Sequence, residues 1–219
     1  MRNEIKIPLN NKFDLNFSSW KDSSQNIVKT FDDRTVNSIY FDTPDFNLAK
    51  DNLSGISNRK KYRIRWYNKN FNDLSYEIKS KKNNLGSKIV MNVDKNQTDL
   101  KDIFSYKNKL LHKDNKKFFL EYINYHNLEP KIQVSYVRSY YEFKNSVRIT
   151  YDRKINYKLI DRFNTKQLNS HDYMNVIEIK FDPKNYLIAS ELIKKSKFIP
   201  KRFSKYLRGL YLSGNAIYF

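Results

Sequence analysis

In the segment Arg59-Lys60-Lys61-Tyr62-Arg63-Ile64-Arg65-Trp66, the cations Arg59, Lys61, Arg63 and Arg65 fall at every second position, against Tyr62, Ile64 and Trp66 on the other parity. Residues two apart in a strand share a face, so the segment presents guanidinium and ammonium groups on one side and apolar groups on the other. The division recurs along the chain: Arg2, Glu4 and Lys6 against Ile5 and Ile7; Glu77, Lys79 and Lys81 against Tyr76 and Ile78; Lys88 against Ile89 and Met91. Farther on, Arg138 and Glu142 share the parity of Tyr136 and Tyr140. Arg148, Thr150 and Asp152 oppose Val147, Ile149 and Tyr151, and Glu178 and Lys180 oppose Ile177, Ile179 and Phe181. Collected, that face holds twelve cations against five anions, a net +7 out of the chain's +19. Arg binds oxyanions with a planar fork, and carboxylates set among cations either hold their rotamers or ligate a metal. An antiparallel sheet with one wet face also alternates in this way. The excess of one sign over seven strands is what points to an anionic ligand. If the sheet closes with this face inward, its lumen is tolerable only when filled by water, metal and anions.

A second basic element is Pro200-Lys201-Arg202-Phe203-Ser204-Lys205-Tyr206-Leu207-Arg208-Gly209. A helix over 201–212, starting just after Pro200, puts Arg202, Ser204 and Lys205 in its first turn, where free N–H groups favour an anion. A solvated basic helix is the competing reading. Phe203, Tyr206, Leu207 and Leu210 would pack it against the sheet.

The elements that must position these side chains follow from the same periodicity. Strands are expected at about 2–9, 35–43, 59–67, 74–82, 87–93, 131–143, 147–159 and 175–181, with helices over 99–125 and short helices in 18–31 and 45–52. Connections between consecutive strands are short, which favours antiparallel pairing. The expected class is α+β, an antiparallel β-barrel with peripheral helices and a C-terminal helix. With only 4 Gly and 5 Pro and no visible linker or repeat, residues 1–219 read as a single domain.

Composition narrows the partners. The chain has 219 residues, 42 Lys+Arg against 23 Asp+Glu, and 16% aromatic residues, so it buries a core and is not a disordered basic tail. Only 11 of the basic residues are Arg, and the chain is also rich in Asn, Ile, Tyr and Phe. That bias resembles coding drift toward Lys, so the positions of Arg carry more information than the total. Zero cysteines exclude a disulfide scaffold, a thiolate metal site and a cysteine nucleophile, and favour a cytoplasmic location. No stretch is long and apolar enough for a transmembrane segment or a signal peptide. None of the usual nucleic-acid-binding modules is found, and a closed lining would exclude duplex.

Several runs together resemble a known family: Val36-Asn37-Ser38-Ile39-Tyr40-Phe41-Asp42-Thr43, Tyr62-Arg63-Ile64-Arg65-Trp66-Tyr67, Tyr76-Glu77-Ile78-Lys79, Val176-Ile177-Glu178-Ile179-Lys180 and Phe203-Ser204-Lys205-Tyr206. In order and spacing they are similar to the VTC domain, the polyphosphate polymerase domain of the vacuolar transporter chaperone complex, from Glu4 to about Gly209. That family belongs to the triphosphate tunnel metalloenzymes, of the CYTH-like superfamily, whose antiparallel strands close into a tunnel lined by basic and acidic side chains. The resemblance implies transfer of the γ-phosphate of ATP to a polyphosphate chain with release of ADP, using Mn2+ or Mg2+. It implies a phosphate-binding lining of Lys6, Arg63, Arg65, Lys79, Lys88, Arg138 and Arg148, with Tyr136 near the phosphates; Lys180, on the same charged parity, is a further candidate for substrate binding. Arg202, Ser204 and Lys205 resemble terminal-helix residues that hold the nucleotide triphosphate, and Glu178 resembles the metal-binding glutamate. It also implies a membrane-protein partner, as fungal relatives sit on membrane subunits, and hence a position at the inner face of a membrane.

Two departures stand out. The wider superfamily often opens on two glutamates and a lysine at alternate positions, where this chain has Arg2, Glu4 and Lys6. Arg202 stands where polymerases of this branch commonly have Lys. No general-base histidine is required, because a polyphosphate end is already anionic, and His112, His126 and His171 are expected at the surface. Glu77 and Glu142 are expected to be ion-pair partners. Two alternatives remain at this point: an inorganic triphosphatase or polyphosphatase of the same fold, and a non-catalytic polyphosphate-binding module.

Overall fold

Among the described residues, alternation of charged with β-branched and aromatic residues produces nine strands: β1 Asn3–Asn10, β2 Ile27–Asp42, β3 Arg59–Tyr67, β4 Asn70–Lys82, β5 Leu85–Asn92, β6 Glu129–Phe143, β7 Val147–Leu159, β8 Asn169–His171 and β9 Met174–Phe181. The structure, a computed structural model, describes residues 2–24, 26–82, 85–92, 123, 125–160 and 169–214. Among these are four helices, α1 Asp14–Ser23, α2 Asn47–Leu53, α3 Tyr186–Ser196 and α4 Lys205–Leu212, and single 3-10 turns at Asn11–Phe13 and Pro183–Asn185. The strand order is β1-β9-β7-β6-β2-β3-β4-β5, with β8 beside β7. The fold is α+β around an antiparallel sheet. No helix among the described residues is long and apolar enough to cross a membrane.

The helix expected within 18–31 ends at Ser23, and 27–31 is strand instead. The run Ile27-Val28-Lys29-Thr30-Phe31 is mostly β-branched or aromatic, which favours the extended chain. The C-terminal helix begins at Lys205 rather than 201. Residues 201–203 are tied to β1 instead: Lys201 N–H donates to the Lys6 carbonyl at 2.9 Å and Lys6 Nζ donates to the Phe203 carbonyl at 3.2 Å. Helix α3, which buries Ala189, Leu192 and Ser196, was not expected. The helices expected over 99–125 lie outside the described residues, apart from Ile123 and Tyr125, both helical.

The chain divides into two compact units. One comprises Met1–Thr35, Ser135–Asn156 and His171–Ser204, and the other Val36–Val134, Tyr157–Ser170 and Lys205–Phe219. In the first unit, Ile7, Ile149, Ile177, Ile179 and Phe181 form the apolar side of the sheet, covered by Phe17 and Trp20 of α1 and by Ala189 and Leu192 of α3. Phe17 stacks on Tyr151 with ring centroids 3.9 Å apart. The helices thus cover one side of this sheet, and the charged parity is left on the other. In the second unit, Ile39, Phe41, Tyr62, Ile64, Trp66, Tyr76, Ile78 and Met91 form the corresponding apolar side with Ile123 and Leu128.

Candidate functional site

Register places the charged residues of the first unit side by side. β1 and β9 set Lys6 opposite Glu178 and Glu4 opposite Lys180. β7 sets Thr150 opposite Glu178 and Arg148 opposite Lys180. Glu178, buried, lies 3.1 Å from Lys180 Nζ, 3.3 Å from Arg138 Nη2 and 3.9 Å from Lys6 Nζ. Lys6 and Lys180 also reach Glu4, at 3.2 and 4.0 Å. Arg138 is held from below: its Nε and Nη2 donate to the two oxygens of the fully buried Asp152 at 2.5 and 2.7 Å. Its guanidinium lies 5.2 Å from the centre of the Tyr136 ring. Burial works against the Arg138 charge, yet Asp152, Tyr136 and Glu178 together hold its pKa well above the usual Arg range. Lys6, Lys180 and Arg138 are therefore matched by Glu4, Glu178 and Asp152, and a bound anion would compete for cations that are already positioned.

In the second unit Glu77 is the organiser. It faces Arg63 across β3 and β4. Its carboxylate accepts from Arg63 Nε at 2.6 Å and Lys88 Nζ at 2.7 Å, and Arg65 Nη1 stands 4.0 Å away. Burial alone would raise the Glu77 pKa, but Arg63, Arg65 and Lys88 outweigh it and bring it down to about 2. Arg65 is further fixed by Nε donating to Ser38 Oγ at 3.2 Å, and Arg63 by Nη1 donating to Tyr40 OH at 3.2 Å. Lys79 lies opposite Lys61 and Lys88 and is exposed.

Lys205, buried at the start of α4, is positioned by its neighbour. Tyr206 stacks on Tyr40 with centroids 5.2 Å apart, and its OH donates to Asp42 Oδ2 at 2.7 Å. Asp42 also accepts from the backbone N–H groups of Thr43, Leu48 and Ala49. One buried carboxylate thus joins α2 to α4. Burial pushes the Asp42 pKa up, with these hydrogen bonds opposing. Gly209 allows α4 to approach β6 and β7 closely, since a Cβ there would stand 2.5 Å from Tyr157 and 2.7 Å from Ile132 side-chain carbons.

The expected residues therefore fall into two groups. Lys6, Glu178, Lys180, Arg138 and Tyr136 come together in the first unit, and Arg63, Arg65 and Lys88 in the second. Arg202 is exposed and Ser204 half-buried, and both stand ahead of α4 rather than within its first turn as expected. Arg148 and Glu142 line a cavity of about 300 Å³. Glu142 forms no ion pair with a described residue, unlike Glu77. His126 and His171 are exposed, and His112 lies outside the described residues. Counting charges overlooked Ser38, Tyr40 and Asp42, which are neutral or singly acidic. Their signal was parity, because register pairs Ser38 with Arg65 and Tyr40 with Arg63.

Among the described residues no group of three or more His, Cys, Asp or Glu is placed to hold a metal. The donor set nevertheless fits a hard divalent cation, which is commonly held by one or two carboxylates together with substrate phosphates and water. Glu178 with Glu4 beside it supplies such oxygens.

Comparison with known proteins bears on the fold and the family. No curated protein matches the chain. A solved structure from Hippeastrum, described as a candidate adenylyl cyclase with a dominant triphosphatase activity, superposes with a TM-score of 0.62 at 15% identity, covering 96% of each chain. A candidate adenylate cyclase from Bacillus halodurans gives 0.58 at 12% identity over 92% of each chain. One from Vibrio parahaemolyticus gives 0.53 at 14% identity over 94% of this chain and 97% of that one. At such identities the likeness shows the fold, that of the triphosphate tunnel proteins. The family model of the VTC domain matches residues 3–213, nearly the whole sequence, and the chain belongs to the VTC domain family.

Proposed function

We propose that the protein is a metal-dependent polyphosphate polymerase that transfers the γ-phosphate of ATP to the end of a polyphosphate chain and releases ADP. The observation that carries this reading is the set of preorganised cations, Lys6, Arg138 and Lys180 around Glu178 and Arg63, Arg65 and Lys88 around Glu77, within a VTC-family chain. Phosphoryl transfer is catalysed mainly by positioning and by neutralising oxygens, and such a set does both. Glu178, with Glu4 nearby, would hold Mn2+ or Mg2+, which when bound offsets charge on phosphate oxygens. Arg63, Arg65, Arg138 and Arg148 would clamp phosphates, Lys79, Lys88 and Lys205 would add point charges, and Arg202 and Ser204 would contact the nucleotide triphosphate from the segment before α4. Tyr136 would orient Arg138. ATP, polyphosphate and a membrane-protein partner complete the reading.

Hydrolysis of triphosphate is the second reading, and the activity stated for the Hippeastrum protein gives it weight. Glu77, at a pKa of about 2, is a poor general base, and both Asp152 oxygens are taken by Arg138, so an attacking water would need activation by other groups such as a bound metal. A polyphosphate end is already anionic. The test is to incubate the protein with ATP and Mn2+ and compare it with Glu178→Gln. ADP release coupled to chain growth, lost in the variant, supports the proposal. Orthophosphate release from tripolyphosphate without growth supports the hydrolase, and tight polyphosphate binding without turnover supports a binding module.

A further inference from the structure

Tyr40 and Tyr206 stack in the second unit, with ring centroids 5.2 Å apart and planes 17° from parallel, yet their hydroxyls are used differently. The Tyr206 proton is spent inside the protein, on Asp42 Oδ2 at 2.7 Å. The Tyr40 oxygen accepts instead, from Arg63 Nη1 at 3.2 Å. A phenol carries one donor proton besides its lone pairs, and the Tyr40 proton meets no acceptor among the described residues. The carboxylates of this cluster are already engaged. Asp42 accepts from Tyr206 and from the backbone N–H groups of Thr43, Leu48 and Ala49, and Glu77 accepts from Arg63 and Lys88. Tyr40 is only 8% exposed, and donors so far withdrawn from water are nearly always paired in working proteins. The surroundings select the acceptor that suits this proton. Burial alone would raise the Tyr40 pKa, but Arg63, Arg65 and Lys205 outweigh it and hold it below the ordinary value. An oxygen drawn into the field of those three cations is an anionic one.

We propose that Tyr40 is a further catalytic residue, whose phenolic O–H donates a hydrogen bond to a phosphoryl oxygen of the substrate beside Arg63, Arg65 and Lys205. The proposal rests on the reading of those cations as phosphate-binding, and it adds a contact that charge alone does not supply. A neutral O–H orients the one oxygen it points at without adding to the positive charge already balanced against Glu77. Its own direction is fixed twice, by the Arg63 bond at its oxygen and by the stack of its ring on α4. Phenylalanine at this position keeps the ring and the stack and loses only the hydroxyl.

The test measures Kd for tripolyphosphate by calorimetry, at fixed ionic strength and pH 7, on the wild type, Tyr40→Phe, Arg63→Met and the double variant. The expected result is a loss of about tenfold in affinity in Tyr40→Phe, the size of one hydrogen bond to a charged group. Because the hydroxyl touches the ligand itself, a loss of similar size persists when Tyr40→Phe is made on Arg63→Met. Unchanged affinity in Tyr40→Phe overturns the proposal. A loss that disappears on the Arg63→Met background also overturns it, since Tyr40 would then act only by orienting Arg63. A wild type that binds no tripolyphosphate overturns the phosphate reading of the cations, and the proposal with it; a wild type that binds, with Tyr40→Phe equal to it, leaves that reading standing and removes Tyr40 alone.

Discussion

Glu77→Gln is the substitution whose consequence can be worked out most fully. The carboxylate is buried and receives Arg63 and Lys88, with Arg65 close by. Its pKa falls from the ordinary 4.5 to about 2 in the folded chain. A difference of about 2.5 units corresponds to about 3 kcal/mol of stability. The sign follows from proton counting. The folded carboxyl binds its proton less readily than the unfolded one, so the stabilisation is complete above pH 4.5 and is lost as pH falls toward 2. Glutamine keeps the shape but leaves three cations without their anion. Urea unfolding followed by circular dichroism, repeated from pH 7 down to pH 2.5, should show the wild type about 3 kcal/mol more stable at neutral pH. That margin should shrink steadily below pH 4.5. A margin that stays constant over this range, or is absent at pH 7, would refute Glu77 as the charge that organises Arg63, Arg65 and Lys88.

Three further outcomes are expected. Asp152→Asn leaves Arg138 buried without its paired carboxylate and should cost about 3–5 kcal/mol, and saturating tripolyphosphate should raise its Tm more than that of the wild type. Gly209→Ala should lower stability by about 1–3 kcal/mol in thermal unfolding, because the new methyl overlaps Tyr157 and Ile132. Asp42→Ala removes the acceptor of Tyr206 OH and of three backbone N–H groups, and should cost about 3 kcal/mol. By releasing α4 it should also slow turnover through misplacement of Lys205, visible as a fall in kcat larger than the change in KM.

Much of the site was legible in the sequence because strands convert spacing into facing. Arg63, Arg65 and Glu77, or Lys6, Glu178 and Lys180, needed only alternate positions and antiparallel pairing to meet, and β3 runs over the expected residues, Arg59–Tyr67. Side-chain hydrogen bonding across long sequence separations was not legible. Asp42 and Tyr206 are 164 residues apart, and no local pattern announces their bond. The late start of α4 has the same origin: Pro200 and a basic amphipathic run satisfy the helix rules, but tertiary bonds between Lys6 and residues 201 and 203 hold the chain extended up to Lys205. The N-terminal half of β2 was hidden because Thr30 to Arg34 is exposed, which removes the apolar alternation that marks a half-buried strand.

Whether these preorganised cations serve growth of a phosphate chain is decided by sizing the products on a gel after incubation with ATP and Mn2+. A lengthening polyphosphate ladder is expected, with one ADP formed for each phosphate added. Orthophosphate accumulating from ATP or tripolyphosphate with no ladder would rule chain growth out.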